Sequence, residues 1–194
     1  NPDMDDNATV LEQVFLHFPA EFRELNEYEA KTMLTRLGIA DFDQKIGTLS
    51  GGQRKRVALA AALIHPADVL VLDEPCAGLD PEGREQILSQ VKNYQQTTGS
   101  TVILVSHSME DIANYADKVL VMEGGKVYNY ATTEEVFADA ENLSRMGLGI
   151  PDITKVFLKL KEMGVDIATD VYTIPYAVKQ LLKYKQAKED AKNA

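Results

Sequence analysis

The segment Leu49-Ser50-Gly51-Gly52-Gln53 is the first with residue types suited to chemistry. Paired glycines let a backbone approach a ligand closely, and Ser50 is placed to cap the helix that follows. The amides of such a turn, at a helix N-terminus, suit anionic oxygens. Taken by itself, a Ser-Gly-Gly turn before a helix is more often a plain cap. Further on, Val69-Leu70-Val71-Leu72-Asp73-Glu74-Pro75 ends an apolar run in two carboxylates. Open α/β sheets gather their ligand chemistry at such strand ends. Asp73 is placed to hold Mg2+, commonly through water, and Glu74 to polarise an attacking water as general base. The plainer alternative is a strand end with solvated acids. Ala77-Gly78-Leu79-Asp80 follows directly, and its plainest reading is a turn whose Asp80 caps a helix starting at Pro81. Ser106-His107 ends the next apolar run. A histidine there can donate to a phosphate oxygen or orient water. His17 and His65 have no such setting and read as structural.

The elements that must position these residues follow from periodicity and stop signals. Apolar spacing predicts helices over 9–18 and 26–37, the first ended by Pro19 and the second capped by Asn26 and stopped by Gly38. Ser50 caps a helix over about 53–64, which Pro66 ends. Asp68–Asp73 and Thr101–Ser106 read as strands buried on both faces, joined through a helix over 81–96. A helix over 109–116 precedes strands over 118–122 and 126–130, which meet across Gly124-Gly125 as a hairpin. Thr132-Thr133-Glu134-Glu135 reads as a capping box opening a helix to about Asp139. Alternating strands and helices predict an α/β domain with a parallel core. Beyond Asp139, Pro151 and Pro175 each start a helix, so 140–194 reads as a helical appendage.

The 194 residues suffice for one domain with a core and a small appendage, and 45% hydrophobic with 26% charged residues is ordinary for a globular protein. The formal net charge of −10 argues against broad nucleic-acid binding, and no direct nucleic-acid partner is expected. Cys76 is the single cysteine, so no intrachain disulfide forms and the cytosol is the default compartment. The apolar runs, Val69–Leu72 among them, are far short of a membrane span.

In order and spacing these segments resemble the ABC-type ATPases over about residues 1–140. Leu49–Gln53 is similar to the ABC signature, Val69–Glu74 to Walker B with its catalytic glutamate, Ala77–Asp80 to the D-loop, and His107 to the H-switch. The resemblance implies a P-loop NTPase-like fold, ATP and Mg2+ as ligands, and a head-to-tail pair of ATPase subunits, identical or different. It further implies that Ser50, Gly51, Gly52 and Gln53 touch nucleotide held by the opposite subunit. Asp73 as metal ligand, with Glu74 and His107 as catalytic groups, would serve their own subunit, and Asp80 would communicate across the interface. On this basis residues 1–139 are a partial nucleotide-binding domain. It divides into a helical subdomain over about 1–60 and a Walker B, D-loop and H-switch part over about 66–139, ahead of the appendage 140–194.

No glycine followed by four residues and then Gly-Lys-Ser or Gly-Lys-Thr occurs in the chain. The one Gly-Lys, Gly125-Lys126, precedes Val127 and has Leu120 where the first glycine belongs, so it reads as a hairpin turn. In the family the P-loop, the adenine-stacking aromatic and the Q-loop glutamine precede the signature, and Asn1-Pro2-Asp3 resembles the stretch just after that glutamine. The expectation is a domain truncated at its N-terminus, inactive alone, with the apolar edges of its central strands laid open.

Two branches of the family leave marks. Residues 1 to about 70, through Glu27–Lys31, Leu37-Gly38-Ile39 and Leu49–Val57, resemble the ABC-F ribosome-associated ATPases. From about 70 onward, through Thr101–Ser106, Met109–Ala116, Gly125–Val127 and the tail from Met146 to Leu182, the chain resembles the ATPase of energy-coupling-factor importers. The second covers more of the chain. It implies coupling of ATP hydrolysis to uptake of a vitamin or metal ion, a transmembrane coupling protein as partner, and a peripheral place on the cytoplasmic membrane face. An ABC-F factor, and a non-catalytic stub lending its signature in trans, are the alternatives.

Overall fold

Side-chain caps at Ser50, Asp80 and Ser108 start three of the helices in this protein, and they fix where the candidate functional turns lie. The computed structural model describes residues 4–193. They form two compact units, one ending at Val105 and the other beginning at Ser106.

In the first unit Thr9 and Glu12 close a capping box around the short helix α1 (Val10–Val14). Helix α2 (Ala20–Arg36) starts earlier than the sequence suggests. Pro19 is its N-cap with φ −66, and Asn26, expected as the cap, lies inside the helix and donates from Nδ2 to the Phe22 carbonyl at 2.7 Å. Proline's fixed φ suits a helix start, so Pro19 opens this helix rather than merely closing the one before. Gly38, at φ +76, ends it. A 3-10 turn at Ile46–Thr48 leads to α3 (Gly51–Leu63). Val10, Val14, Ala30, Leu34, Leu37, Ile46 and Val57 are buried between these helices.

Strand β1 (Val69–Asp73), helix α4 (Pro81–Thr98) and strand β2 (Thr101–Val105) form a βαβ unit. The strands pair in parallel, from Val69 with Thr101 to Asp73 with Val105. Gly99 at φ 70 stops α4 and lets the chain turn back. The strands are not buried on both faces, contrary to the sequence expectation. Val69, Val71, Ile103 and Val105 are about half exposed, whereas Leu70, Leu72, Val102 and Leu104 are partly covered. Among the described residues β1 and β2 form a two-stranded sheet, and only one side of it has a covering layer. The aliphatic composition that signals double burial is therefore present without the second layer.

The second unit opens with α5 (Met109–Tyr115) and an antiparallel hairpin of β3 (Lys118–Glu123) and β4 (Lys126–Thr132). Gly124 and Gly125 both take positive φ at its tip, as a tight hairpin turn requires. Thr132 and Glu135 close the expected capping box on α6 (Thr133–Ala138). A further helix, α7 (Ala140–Arg145), has no counterpart in the sequence reading. Val121, Val136, Phe137, Ala140, Leu143 and Ile150 form the core here. Helices α8 (Asp152–Glu162) and α9 (Ile174–Asn193) follow, with Phe157, Ile167, Val171 and Ala177 packed together. Thr154, fully buried, donates from Oγ1 to the Val171 carbonyl at 2.7 Å.

Candidate functional site

The turn at Ser50 is built as a reciprocal cap. Ser50 Oγ accepts from the Gln53 amide at 3.2 Å, and Gln53 Oε1 accepts from the Ser50 amide at 2.9 Å. Those two groups are thereby committed to the turn. The amides of Gly51 and Gly52, at the first two helical positions, have no acceptor within an α-helix and carry the positive end of its dipole. Ser50 and Gly51 are exposed and Gly52 is partly covered.

The two glycines differ in what surrounds them. A Cβ on Gly52 would stand 3.0 Å from Leu79 Cδ2, so the 77–80 turn accounts for the small residue at 52. A Cβ on Gly51 would meet nothing within 4 Å, and Gly51 is not at positive φ. Among the described residues nothing requires glycine at 51, where alanine would be the better helix former.

Asp73 closes β1 and is exposed. Glu74 leaves the ladder with φ 46, and its amide donates to the Val105 carbonyl at 2.9 Å. A left-handed conformation is uncommon for a residue with a Cβ and recurs at functional turns. Cys76 turns inward, and Asp80 caps α4 by accepting from the Gly83 amide at 3.2 Å. The acidic turn is tied to the helix behind Ser50 by two residues that the sequence reading passed over. Lys55 Nζ donates to the Ala77 carbonyl, and Arg56 Nη2 lies 3.9 Å from Asp80 Oδ1. The signal available for them was their place on the helix that the glycine turn opens, together with a glycine at 83, inside a helix.

His107 belongs to the second unit. It is exposed, in a short turn where the Ser108 amide donates to Ser106 Oγ at 3.1 Å and Ser108 caps α5. The structure thus brings Ser50, Gly52 and Gln53 together with Leu79 and Asp80 through α3, and it places Asp73 and Glu74 just ahead of that turn.

The donor set fits a magnesium–phosphate ligand better than a bare metal. Among the described residues no group of three or more His, Cys, Asp or Glu side chains could cage a metal ion. Magnesium at a nucleotide needs only one or two carboxylates beside phosphate and water, and Asp73 and Glu74 are of that kind.

The ABC transporter family model matches residues 1–77. Two proteins called energy-coupling factor transporter ATP-binding protein EcfA2 illustrate the likeness. The one from Caldanaerobacter subterraneus is 47% identical over 136 residues, covering 70% of this chain and 48% of the relative. The one from Symbiobacterium thermophilum is 48% identical over 154 residues, covering 78% and 53%. Among solved structures, cbiO1 from Clostridium perfringens, described as part of the ABC transporter complex cbiONQ, superposes with a TM-score of 0.61 at 33% identity. That match covers 84% of this chain and 61% of the other. The chain spans about half the length of the curated relatives it matches. With its Ser-Gly-Gly turn, its carboxylate-ended strand and a P-loop NTPase-like fold, the chain belongs to the ABC transporter ATPase family, on the branch of the energy-coupling-factor ATP-binding proteins.

Proposed function

We propose that this chain is the signature-bearing part of the ATPase subunit of an energy-coupling-factor importer, which couples ATP hydrolysis to uptake of a small substrate such as a vitamin or metal ion. Its glycine turn meets Mg·ATP held by a second ATPase subunit, and a transmembrane protein receives the motion. The observation that carries this reading is Gly51: exposed, in ordinary helical conformation, with open space where a side chain would stand. A small residue with no internal reason to be small fits close approach from outside. The amides of Gly51 and Gly52 then donate to phosphate oxygens, and the Ser50–Gln53 box holds them in line.

On the chain's own side, Asp73 is the metal ligand and Glu74 the base that takes a proton from the attacking water. His107 orients that water or donates to the terminal phosphate. Asp80 sets the turn that faces the partner. Magnesium, when bound, neutralises phosphate charge. With no lysine-bearing phosphate loop among its 194 residues, the chain alone does not turn ATP over. Among the described residues no helix is long and apolar enough to cross a membrane, so contact with the membrane component is peripheral in this proposal. The domain division 1–139 and 140–194 remains part of the proposal, resting on motif content.

The test mixes the chain with a complete energy-coupling-factor ATPase subunit and follows association by sedimentation, with and without Mg·ATP. Nucleotide-dependent association that Ser50→Arg abolishes is expected. Association indifferent to nucleotide and to Ser50→Arg counts against the reading. ATP turnover by the chain alone, lost in Glu74→Gln, would overturn its inactivity. Co-sedimentation with ribosomes in place of an ATPase partner would favour the ABC-F branch.

A further inference from the structure

Arg56 projects from α3 and is only 18% exposed, which is low for an arginine. Its guanidinium reaches two other helices. Nη1 donates to the Leu37 carbonyl at the end of α2 at 3.3 Å, and Nη2 lies 3.9 Å from Asp80 Oδ1 at the start of α4. Two glycines leave it room. A Cβ on Gly83, in the first turn of α4, would come within 2.6 Å of Arg56 Nη2 and 2.7 Å of Asp80 Oδ1. A Cβ on Gly38 would come within 3.0 Å of Arg56 Nη1 and 3.5 Å of Gln86 Oε1. Arg56 Nε and Gln86 Oε1 are buried without a hydrogen-bond partner among the described residues, so the slot is closed to water on its inner side. Gly83 is not at positive φ, so backbone freedom does not explain it. Glycine inside a helix is unfavourable relative to alanine, and the space taken by the guanidinium supplies the reason for it.

We infer that Arg56 is a positioning residue. Seated in a slot walled by Gly38 and Gly83, its planar fork fixes the turn 77–80 against the helix behind Ser50, so that Gly51, Gly52 and Asp80 form one rigid surface. Lysine cannot replace it, because a single ammonium has no fork to hold the Leu37 carbonyl and Asp80 together. The use of that surface in nucleotide binding rests on the proposed function, whereas the brace itself does not.

The test is a mutant cycle on the full chain, read by thermal unfolding and by hydrogen exchange, with no nucleotide present. Gly83→Ala, which would ordinarily raise Tm by roughly 1–3 °C, is expected to lower it. In the Arg56→Ala background, or in Arg56→Lys should the alanine variant not fold, the same change is expected to raise Tm. Arg56→Lys is further expected to speed amide exchange across residues 77–83 several-fold while leaving the β1–β2 amides unchanged, a pattern that general loss of stability does not produce. A rise in Tm from Gly83→Ala in both backgrounds overturns the inference. A fall in both also overturns it, because the Asp80 cap alone would then explain the glycine. Unchanged exchange at 77–83 overturns it as well. Sedimentation of Ser50→Arg bears only on the proposed function, so the two can fail separately.

Discussion

Gly52 and Leu79 touch across the turn-to-helix contact so closely that one added methyl at 52 would stand 3.0 Å from Leu79 Cδ2. The neighbouring glycine has no such contact. Gly52→Ala is therefore expected to lower stability by about 1 kcal/mol through overpacking, whereas Gly51→Ala raises it by roughly 0.4–1 kcal/mol while weakening nucleotide-dependent association. Denaturant titration beside sedimentation separates the two, and equal effects on stability would contradict the contrast.

The Ser50–Gln53 box is reciprocal, so its two halves should not behave independently. Ser50→Ala and Gln53→Ala are each expected to cost about 1 kcal/mol. The double variant should cost clearly less than the sum, because either change already opens the box. Urea unfolding of the three variants measures this, and strict additivity would show that the halves act separately.

Acid should loosen the cap on α6. Glu135 accepts from Thr132 Oγ1 at 2.7 Å and from the Thr132 amide at 3.0 Å. These bonds, the side-chain one first, hold its carboxyl below the ordinary value of 4.5. A lowered folded-state pKa gives stability that is present above the unfolded value and lost as pH falls through the folded one. The Tm advantage of the parent chain over Glu135→Gln is expected to be constant near neutrality and to shrink below pH 4.5. An advantage that grows in acid would refute the assignment.

Thr154 joins α8 to the segment leading into α9 through a buried hydroxyl. Thr154→Val keeps the shape and leaves the Val171 carbonyl without its donor. A loss of about 1–3 kcal/mol is expected. Thermal unfolding decides, and a neutral result would mean that the carbonyl finds another donor.

Much of this was legible because short-range rules governed it. Ser50 before two glycines, Asp80 before Pro81 and Thr132 three residues before Glu135 all became caps. Gly124-Gly125 became the hairpin tip. The misreadings arose where tertiary context decides. Asn26 has the chemistry of a cap, but a proline upstream was already in helix-starting geometry. Helix α7 is only six residues long, directly follows α6, and lies on the core through Ala140 and Leu143. The aliphatic runs of β1 and β2 report composition, and composition does not say whether a second layer is present. The Arg56 slot depends on residues from three helices, which no local window contains.

Glu74 follows the last residue of β1 in a left-handed backbone conformation, at φ 46. For any residue with a Cβ this conformation costs roughly 1–2 kcal/mol, and glycine would remove that cost. Selection for heat resistance alone would therefore drift toward glycine at 74, yielding a hardier molecule that keeps only Asp73 of the two acids at the strand end. With Glu74 in its proposed role as base, thermostability and chemistry compete at this one position, and a library screened only for survival would favour losing the glutamate.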